Sequence, residues 1–140
     1  MCTYKIDEVK SRVAPMDNQV VFPVNINDFP DASNASILSH VNPLAQKRVD
    51  SIIRLVRKIP EIRSVVLFGS SITDNYHESS DIDIGVECTT DNWEFARITL
   101  PIYKAVECDI DIINILNMNK GLLSYEIKEK GCIVYERYSA

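Results

Sequence analysis

Two short acidic segments carry the side chains best suited to chemistry. In Asp81–Ile84 and again in Asp109–Ile112, aspartate alternates with isoleucine. Side chains alternate across a β-strand, so the aspartates of one segment share a face and the isoleucines cover the other. Neighbouring carboxylates repel each other unless a cation lies between them, and Mg²⁺ prefers such oxygen ligands. If the segments form adjacent strands, three carboxylates could hold two Mg²⁺ ions, as in two-metal phosphoryl and nucleotidyl transfer.

A glycine–serine pair precedes the first acidic segment by ten residues. Gly69 and Ser70 follow the apolar run Val65–Phe68, which is typical of a buried strand. Glycine lets backbone N–H groups approach phosphate oxygens closely, and the serine hydroxyl adds a donor. Each feature alone is more typical of an ordinary turn, edge strand or solvated surface. Their combined order predicts a phosphate site beside the carboxylates.

The charge pattern limits what this site could bind. Fifteen basic against twenty acidic residues leave a net charge of −5, whereas strong nucleic-acid binding normally needs a basic face. Between Arg63 and Arg97 there are seven acids and no lysine or arginine. A nucleoside triphosphate would therefore have to arrive together with its metal ion.

A mixed series of helices and strands must position these residues. Asn42 and Pro43 suit the start of a helix that ends before Pro60. Two further helices are predicted over residues 91–106 and 119–130, and strands are predicted over residues 64–69, 81–86, 108–115 and 132–135.

Three local features of the two later helices are also predicted. Pro101 should kink or split the first of them. Trp93 and Tyr103 are expected in the core more than as a base-stacking platform. Gly131 should take a left-handed conformation after the second helix.

The length of 140 residues suits one domain of the α/β (α+β) class, a mixed β-sheet with flanking helices. Residues 1–43 are predicted as an extension packed on the core, with a helix over residues 3–13 followed by a proline-rich, irregular stretch. Residues 44–140 form the main globular unit. The sequence has no apolar run long enough to cross a bilayer and no apolar signal core, which predicts no membrane contact and a cytoplasmic location.

With these motifs, the chain resembles the DNA polymerase β-like nucleotidyltransferase superfamily, in particular its minimal members. The segments Phe68–Ser70 and Ser80–Asp83 are similar to the family signature, and the resemblance covers roughly residues 45–136. It implies the fold of that family. It also implies that Gly69 and Ser70 hold the phosphates of a nucleotide.

The resemblance assigns the metal to three aspartates. Asp81 and Asp83 would bind the nucleotide's Mg²⁺. Asp111, on the later strand, would share a second Mg²⁺ and help to activate the acceptor as a general base. Asp109 lies on the same face and is the alternative for this third position.

The implied function is enzymatic: Mg²⁺-dependent transfer of an NMP group, expected to be AMP, from an NTP, expected to be ATP, to an acceptor hydroxyl. Two alternatives remain open. One is an antitoxin-like binding module that masks or nucleotidylates a small helical partner protein. The other is a degenerate nucleotide-binding protein that no longer transfers. A homo-oligomer is also open, because the chain is too short for a sizeable acceptor domain and a partner subunit could complete the pocket.

One departure from the family pattern affects the phosphate site. Many minimal members carry an Arg-Gly pair where this chain has Thr73 and Asp74. The lost arginine leaves open a reduced activity, a different nucleotide preference, or a compensating basic residue from elsewhere in the chain.

Overall fold

The structure, a computed structural model, describes residues 21–117 and 121–137, and a four-stranded mixed sheet lies at its centre. The strands are β1 (Ile62–Phe68), β2 (Ile82–Cys88), β3 (Ile110–Asn114) and β4 (Cys132–Glu136), in the order β3-β2-β1-β4. Strand β1 runs antiparallel to β2 and β4, whereas β2 and β3 are parallel. The predicted class, a mixed sheet with flanking helices, is confirmed.

Short and long helices connect these strands. The α-helices are α1 (Ala35–Leu38), α2 (Gln46–Val56), α3 (Asn92–Ala105) and α4 (Leu122–Tyr125). Short 3₁₀ turns cover Ile26–Asp28, Gly69–Ile72 and Ile115–Asn117, and a π-helical turn covers Glu126–Lys130. Parallel strands need a crossover connection, and α3 supplies it between β2 and β3. None of the helices described combines the length and the apolar character needed to cross a bilayer.

The sheet buries apolar side chains on both faces, because successive residues of each strand point to opposite sides. On one face, Leu67 and Ile84 join a core that includes Ile52 of α2 and Ile102 of α3. On the other face a smaller core is formed by Val66, Phe68, Ile115 and Ile127. Asp83 and Asp111 each alternate with buried isoleucines, so they belong to the face with the smaller core.

Helix α2 begins later than predicted. Asn42 and Pro43 precede it in a turn, in which Asn42 Oδ1 accepts a hydrogen bond of 3.0 Å from the Leu44 N–H. The first helical residue is Gln46, and its neighbour Ala45 offers no capping side chain. The same asparagine signal that marks a helix N-terminus also marks a turn, so the sequence alone did not separate the two.

Helix α3 is continuous through Pro101, which excludes the split but not the kink that was predicted there. The face that it buries differs from the prediction. Trp93 and Tyr103, predicted to be core residues, are 77% and 46% exposed, because Ile98 and Ile102 form the face that packs on the sheet. The Asp91 side chain caps the helix by accepting a 2.9 Å hydrogen bond from the Glu94 N–H.

The predicted left-handed glycine after the last helix is also wrong. Gly131 has φ −67°, which any residue adopts. Glycine is needed there for close approach instead: a Cβ atom would lie 2.5 Å from the Ile127 carbonyl oxygen and 2.6 Å from Val66 Cγ1. The π-helical turn therefore rests directly on β1.

The predicted helix over residues 3–13 lies outside the described residues. Of the loop-rich stretch, residues 21–43 contact the rest of the protein at several points. Phe22 N–H donates to Ser39 O at 2.6 Å, Gln46 Nε2 donates to Pro23 O at 2.9 Å, and Leu38 and Val41 are buried in the larger core. The division of the chain at residues 43 and 44 stays a prediction.

Candidate functional site

Two carboxylates meet where β2 and β3 run side by side. Asp83 and Asp111 are direct partners in the parallel register, so their side chains leave the same face of the sheet from adjacent strands. The chain can bring them together because the flanking isoleucines Ile82, Ile84 and Ile110 are buried on the opposite face. The isoleucine face thus determines which way the aspartates point.

Crowding and burial change the acidity of this pair. Burial, the largest cause, acts together with the hydrogen bond and negative charge of Asp111 and the charge of Asp81 to raise the pKa of Asp83 from 3.8 to about 6. A carboxylate in this position favours either a proton or a cation.

The other two predicted aspartates lie nearby but are less enclosed. Asp81 comes one residue before β2 and is exposed, yet its charge still acts on Asp83. Asp109 precedes β3, and its carbonyl oxygen accepts a 3.0 Å hydrogen bond from Ile82 N–H. Of the two alternatives for the third carboxylate, Asp111 is the one that the structure sets beside Asp83.

Gly69 lies against the same carboxylate. It follows Phe68, whose register partner across β1 and β2 is Asp83. Gly69 has φ +77°, a left-handed conformation that favours glycine, and an added Cβ atom would collide with Asp83 Oδ2. The glycine therefore allows both the turn and the position of Asp83.

Thr73, which stands where many minimal members of the family carry arginine, closes the turn after Gly69. Thr73 donates to Ser70 O through its N–H at 2.9 Å and through its hydroxyl at 2.8 Å. Asn42 holds the turn from outside, donating from its N–H to Ser71 O at 2.8 Å and from Nδ2 to Thr73 O at 2.9 Å. Ser70 is thereby held in a defined turn beside Gly69.

A basic residue from α2 reaches the loop that leads to the aspartates. Arg48 Nη1 donates to Tyr76 Oη at 2.7 Å and to Glu78 O at 2.9 Å. The Tyr76 hydroxyl in turn donates to Ser80 O at 3.1 Å, one residue before Asp81. Arg48 also lies close enough to Cys108 to counteract the burial that raises the pKa of that thiol. The hydrogen-bond network links α2 to the loop that precedes Asp81, and Arg48 lies near the residue before the second acidic segment.

We expect Arg48 and Tyr76 to stabilise the protein as a coupled pair. In a double-mutant cycle of Arg48→Met and Tyr76→Phe, urea unfolding should give a coupling energy of about 1.5–3 kcal/mol, the net value of a hydrogen bond to a charged group. Additive single effects would show that the two side chains act independently.

The donor set fits a hard divalent cation. Mg²⁺ commonly takes one or two carboxylates and completes its shell with water and substrate phosphates, and Asp83 with Asp111 supply that number. Within residues 21–117 and 121–137, no three His, Cys, Asp or Glu side chains are gathered closely enough to hold an ion by themselves. Water molecules and the phosphates of a bound nucleotide would contribute the remaining ligands.

Sequence reasoning missed two residues that hold the site together. Asn42 was interpreted as a helix cap, and Arg48 gave no signal because it lies 33 positions before Asp81 in the chain. No local pattern distinguishes an arginine that holds a distant loop from a solvated arginine on a helix, because its partners lie far away in the sequence.

Comparison with known proteins identifies the family of this fold. The family model described as polymerase beta, nucleotidyltransferase matches residues 50–140. Protein adenylyltransferase MntA of Shewanella oneidensis is 35% identical over 78 residues, which cover 51% of this chain and 54% of the relative. The chain therefore spans about half of the length of that relative.

Solved structures show the same fold. A toxin–antitoxin structure with AMP-PNP aligns with a TM-score of 0.53 at 25% identity, covering 63% of this chain and 73% of that one. A mutant of the toxin–antitoxin MntA-HpeT aligns with a TM-score of 0.52 at 24% identity over the same shares. Since the family model matches well over half of the chain, the protein belongs to the polymerase β-like nucleotidyltransferase family.

Proposed function

We propose that the protein is a metal-dependent nucleotidyltransferase that moves an NMP group, AMP in the first instance, from an NTP to an acceptor hydroxyl. The observation that carries this proposal is the pairing of Asp83 with Asp111 directly beside the left-handed Gly69. Membership of the family and the 35% identity to a protein adenylyltransferase support it.

The residues of the site divide between two tasks. Gly69 and Ser70 would bind the β- and γ-phosphates through backbone N–H groups and a hydroxyl. Asp81, Asp83 and Asp111 would hold Mg²⁺, in two ions when all three carboxylates and the substrate contribute. Bound Mg²⁺ would neutralise the triphosphate in this acidic region and make the acceptor hydroxyl more acidic.

The transfer itself is an in-line displacement at the α-phosphorus. The acceptor oxygen forms the new bond, the bond from the α-phosphorus to the bridging oxygen breaks, and pyrophosphate leaves. Asp111, the more exposed of the paired carboxylates, accepts the proton of the acceptor hydroxyl. A cytoplasmic location, which is part of the proposal, would supply the nucleotide and the metal.

The acceptor is proposed to be a macromolecule. The similar protein of Shewanella oneidensis is a protein adenylyltransferase, and the solved neighbours are toxin–antitoxin structures. We therefore keep a small helical partner protein, masked or nucleotidylated by this chain, as the second candidate function. Incubation with ATP labelled at the α-phosphate should label a lysate band that protease removes; a band removed by ribonuclease would identify an RNA acceptor instead.

Nucleotide binding is expected to need a divalent metal. The region between Arg63 and Arg97 is acidic, and Asp83 and Asp111 face the place where the phosphates would lie. Calorimetry with a non-hydrolysable ATP analogue should show no binding in EDTA and clear binding after Mg²⁺ is added. Equal affinity under both conditions would contradict the metal-dependent function, whereas binding without transfer would support the degenerate alternative.

A further inference from the structure

Helix α3 carries an apolar seam on its solvent side. Trp93, Leu100 and Tyr103 are 77%, 51% and 46% exposed, and Ala96 lies between them and is also exposed. Their spacing of three, four and three residues sets them in one stripe along the helix. Opposite this stripe, Ile98 and Ile102 pack on the sheet. Helix α3 is therefore apolar on two sides. Within the described residues, the side with Ile98 and Ile102 packs in the core, whereas the seam is exposed.

Cations flank one edge of the seam. Arg97 and Lys104 are exposed and lie seven residues apart on the same side of the stripe. Arg97 forms an ion pair with Glu94 on the preceding turn. Arg97 and Lys104 are the two basic residues of α3 and Glu94 is its one acid, so the helix carries one net positive charge in a protein of net charge −5.

The charge of this edge restricts what could cover the seam. A second copy docked antiparallel would set the two cationic edges against each other, and like charges at such flanking positions are destabilising. A nucleic acid would find only two cations, one of them already paired, on an acidic protein. A helix with an apolar stripe and acidic flanks could bury the seam with its stripe and pair its acidic side chains with Arg97 and Lys104.

We propose that the seam Trp93–Ala96–Leu100–Tyr103 is a docking surface for an amphipathic helix of a partner protein whose apolar stripe is flanked by acidic side chains. The proposal rests on the protein-partner part of the proposed function and does not require nucleotide transfer. It identifies a surface on α3, whereas the paired aspartates lie at the ends of β2 and β3.

The single tryptophan of the chain makes the proposal measurable. Two synthetic helical peptides of about three heptads would share a leucine stripe and differ only in their flanks, glutamate in one and lysine in the other. The glutamate peptide should shift the Trp93 emission to shorter wavelength as the indole is buried. It should bind roughly tenfold more tightly than the lysine peptide, since two favourable pairs replace two repulsive ones.

Matched variants make the test specific. Arg97→Glu combined with Lys104→Glu should reverse the preference between the peptides. Leu100→Ser should weaken binding of the glutamate peptide, whereas Leu44→Ser, an equally exposed leucine outside the seam, should not. Circular dichroism and binding of the ATP analogue with Mg²⁺ would verify that each variant is folded, so a failure here is separable from a failure of the nucleotide site.

Four results would overturn the proposal. The first is the absence of an emission shift with either peptide. The second is a preference between the two peptides that does not change when the charges of Arg97 and Lys104 are reversed. The third is a dimer of the protein alone that Leu100→Ser dissociates, which would assign the seam to a second copy. The fourth is tighter binding of single-stranded RNA than of the glutamate peptide, which would assign it to nucleic acid.

Discussion

Asp83→Asn is expected to make the metal-free protein more stable. Burial and the neighbouring Asp111 and Asp81 raise the pKa of Asp83 to about 6, so the ionised carboxylate is unfavourable in the folded state. A shift from 3.8 to about 6 corresponds to at most about 3 kcal/mol. Solvent screens this partly exposed group, so we expect about 0.5–2 kcal/mol in urea unfolding with EDTA at pH 7.5.

The size of the stability difference between Asp83→Asn and the parent depends on pH. Because the folded-state pKa is raised, the parent is stabilised by Asp83 while the group is protonated and loses that stability as the pH rises through about 6. Asparagine resembles the protonated form at every pH. The variant and the parent should therefore be equally stable below about pH 4 and differ fully above about pH 6. A variant less stable than the parent at pH 7.5 in EDTA would contradict a carboxylate metal site here.

The same substitution should remove activity. We expect transfer to fall by about 100-fold or more, the scale for losing one preorganised electrostatic group. The stability that Mg²⁺ adds to the folded parent should also disappear. Asp109→Asn is the matched control, since Asp109 lies on the same face of the neighbouring segment but is not a register partner of Asp83. If Asp109→Asn reproduces these effects, the third carboxylate is Asp109 and not Asp111.

Gly69→Ala is expected to disable the site, because it strains the backbone of the turn and displaces Asp83. The alanine would have to adopt φ +77°. Its Cβ atom would also displace the Asp83 carboxylate from its place beside Asp111. A shift of about 1 Å in a positioned group costs on the order of 100-fold in rate, so transfer should fall by that amount. Gly69→Val should remove nucleotide binding altogether, because a β-branched residue is a severe outlier at positive φ.

Gly121→Ala provides the control for Gly69→Ala. Gly121 also has a positive φ, of +148°, but an added Cβ atom there has no neighbour within 4 Å. Both alanine variants carry backbone strain, and only Gly69→Ala approaches Asp83. Circular dichroism should show that both are folded, and an ATP analogue with Mg²⁺ should bind to Gly121→Ala as it does to the parent. If Gly69→Ala bound the ATP analogue as tightly as the parent does, Gly69 would be needed only for the turn and not for the nucleotide site.

The strands and their faces were determined by the sequence alone. Alternation is a local property: Ile82 and Ile84 had to be buried together, so Asp83 had to point the other way. The β-branched run before Gly69 predicted β1 for the same reason. These patterns depend on residues one or two positions apart, which the backbone geometry of a strand relates directly.

Tertiary structure decided which of these residues meet. The parallel register of β2 and β3 pairs Asp83 with Asp111, although a crossover through α3 separates the two strands in the chain. Likewise, Trp93 lies in solvent because α3 packs on the sheet through Ile98 and Ile102, and the helical period alone does not distinguish between two apolar faces. Asn42 and Arg48 donate hydrogen bonds to Thr73 O and Tyr76 Oη in the loop after β1, although about 30 residues separate the partners in the chain. Contacts between residues distant in sequence depend on packing, and the packing of the whole chain determines them.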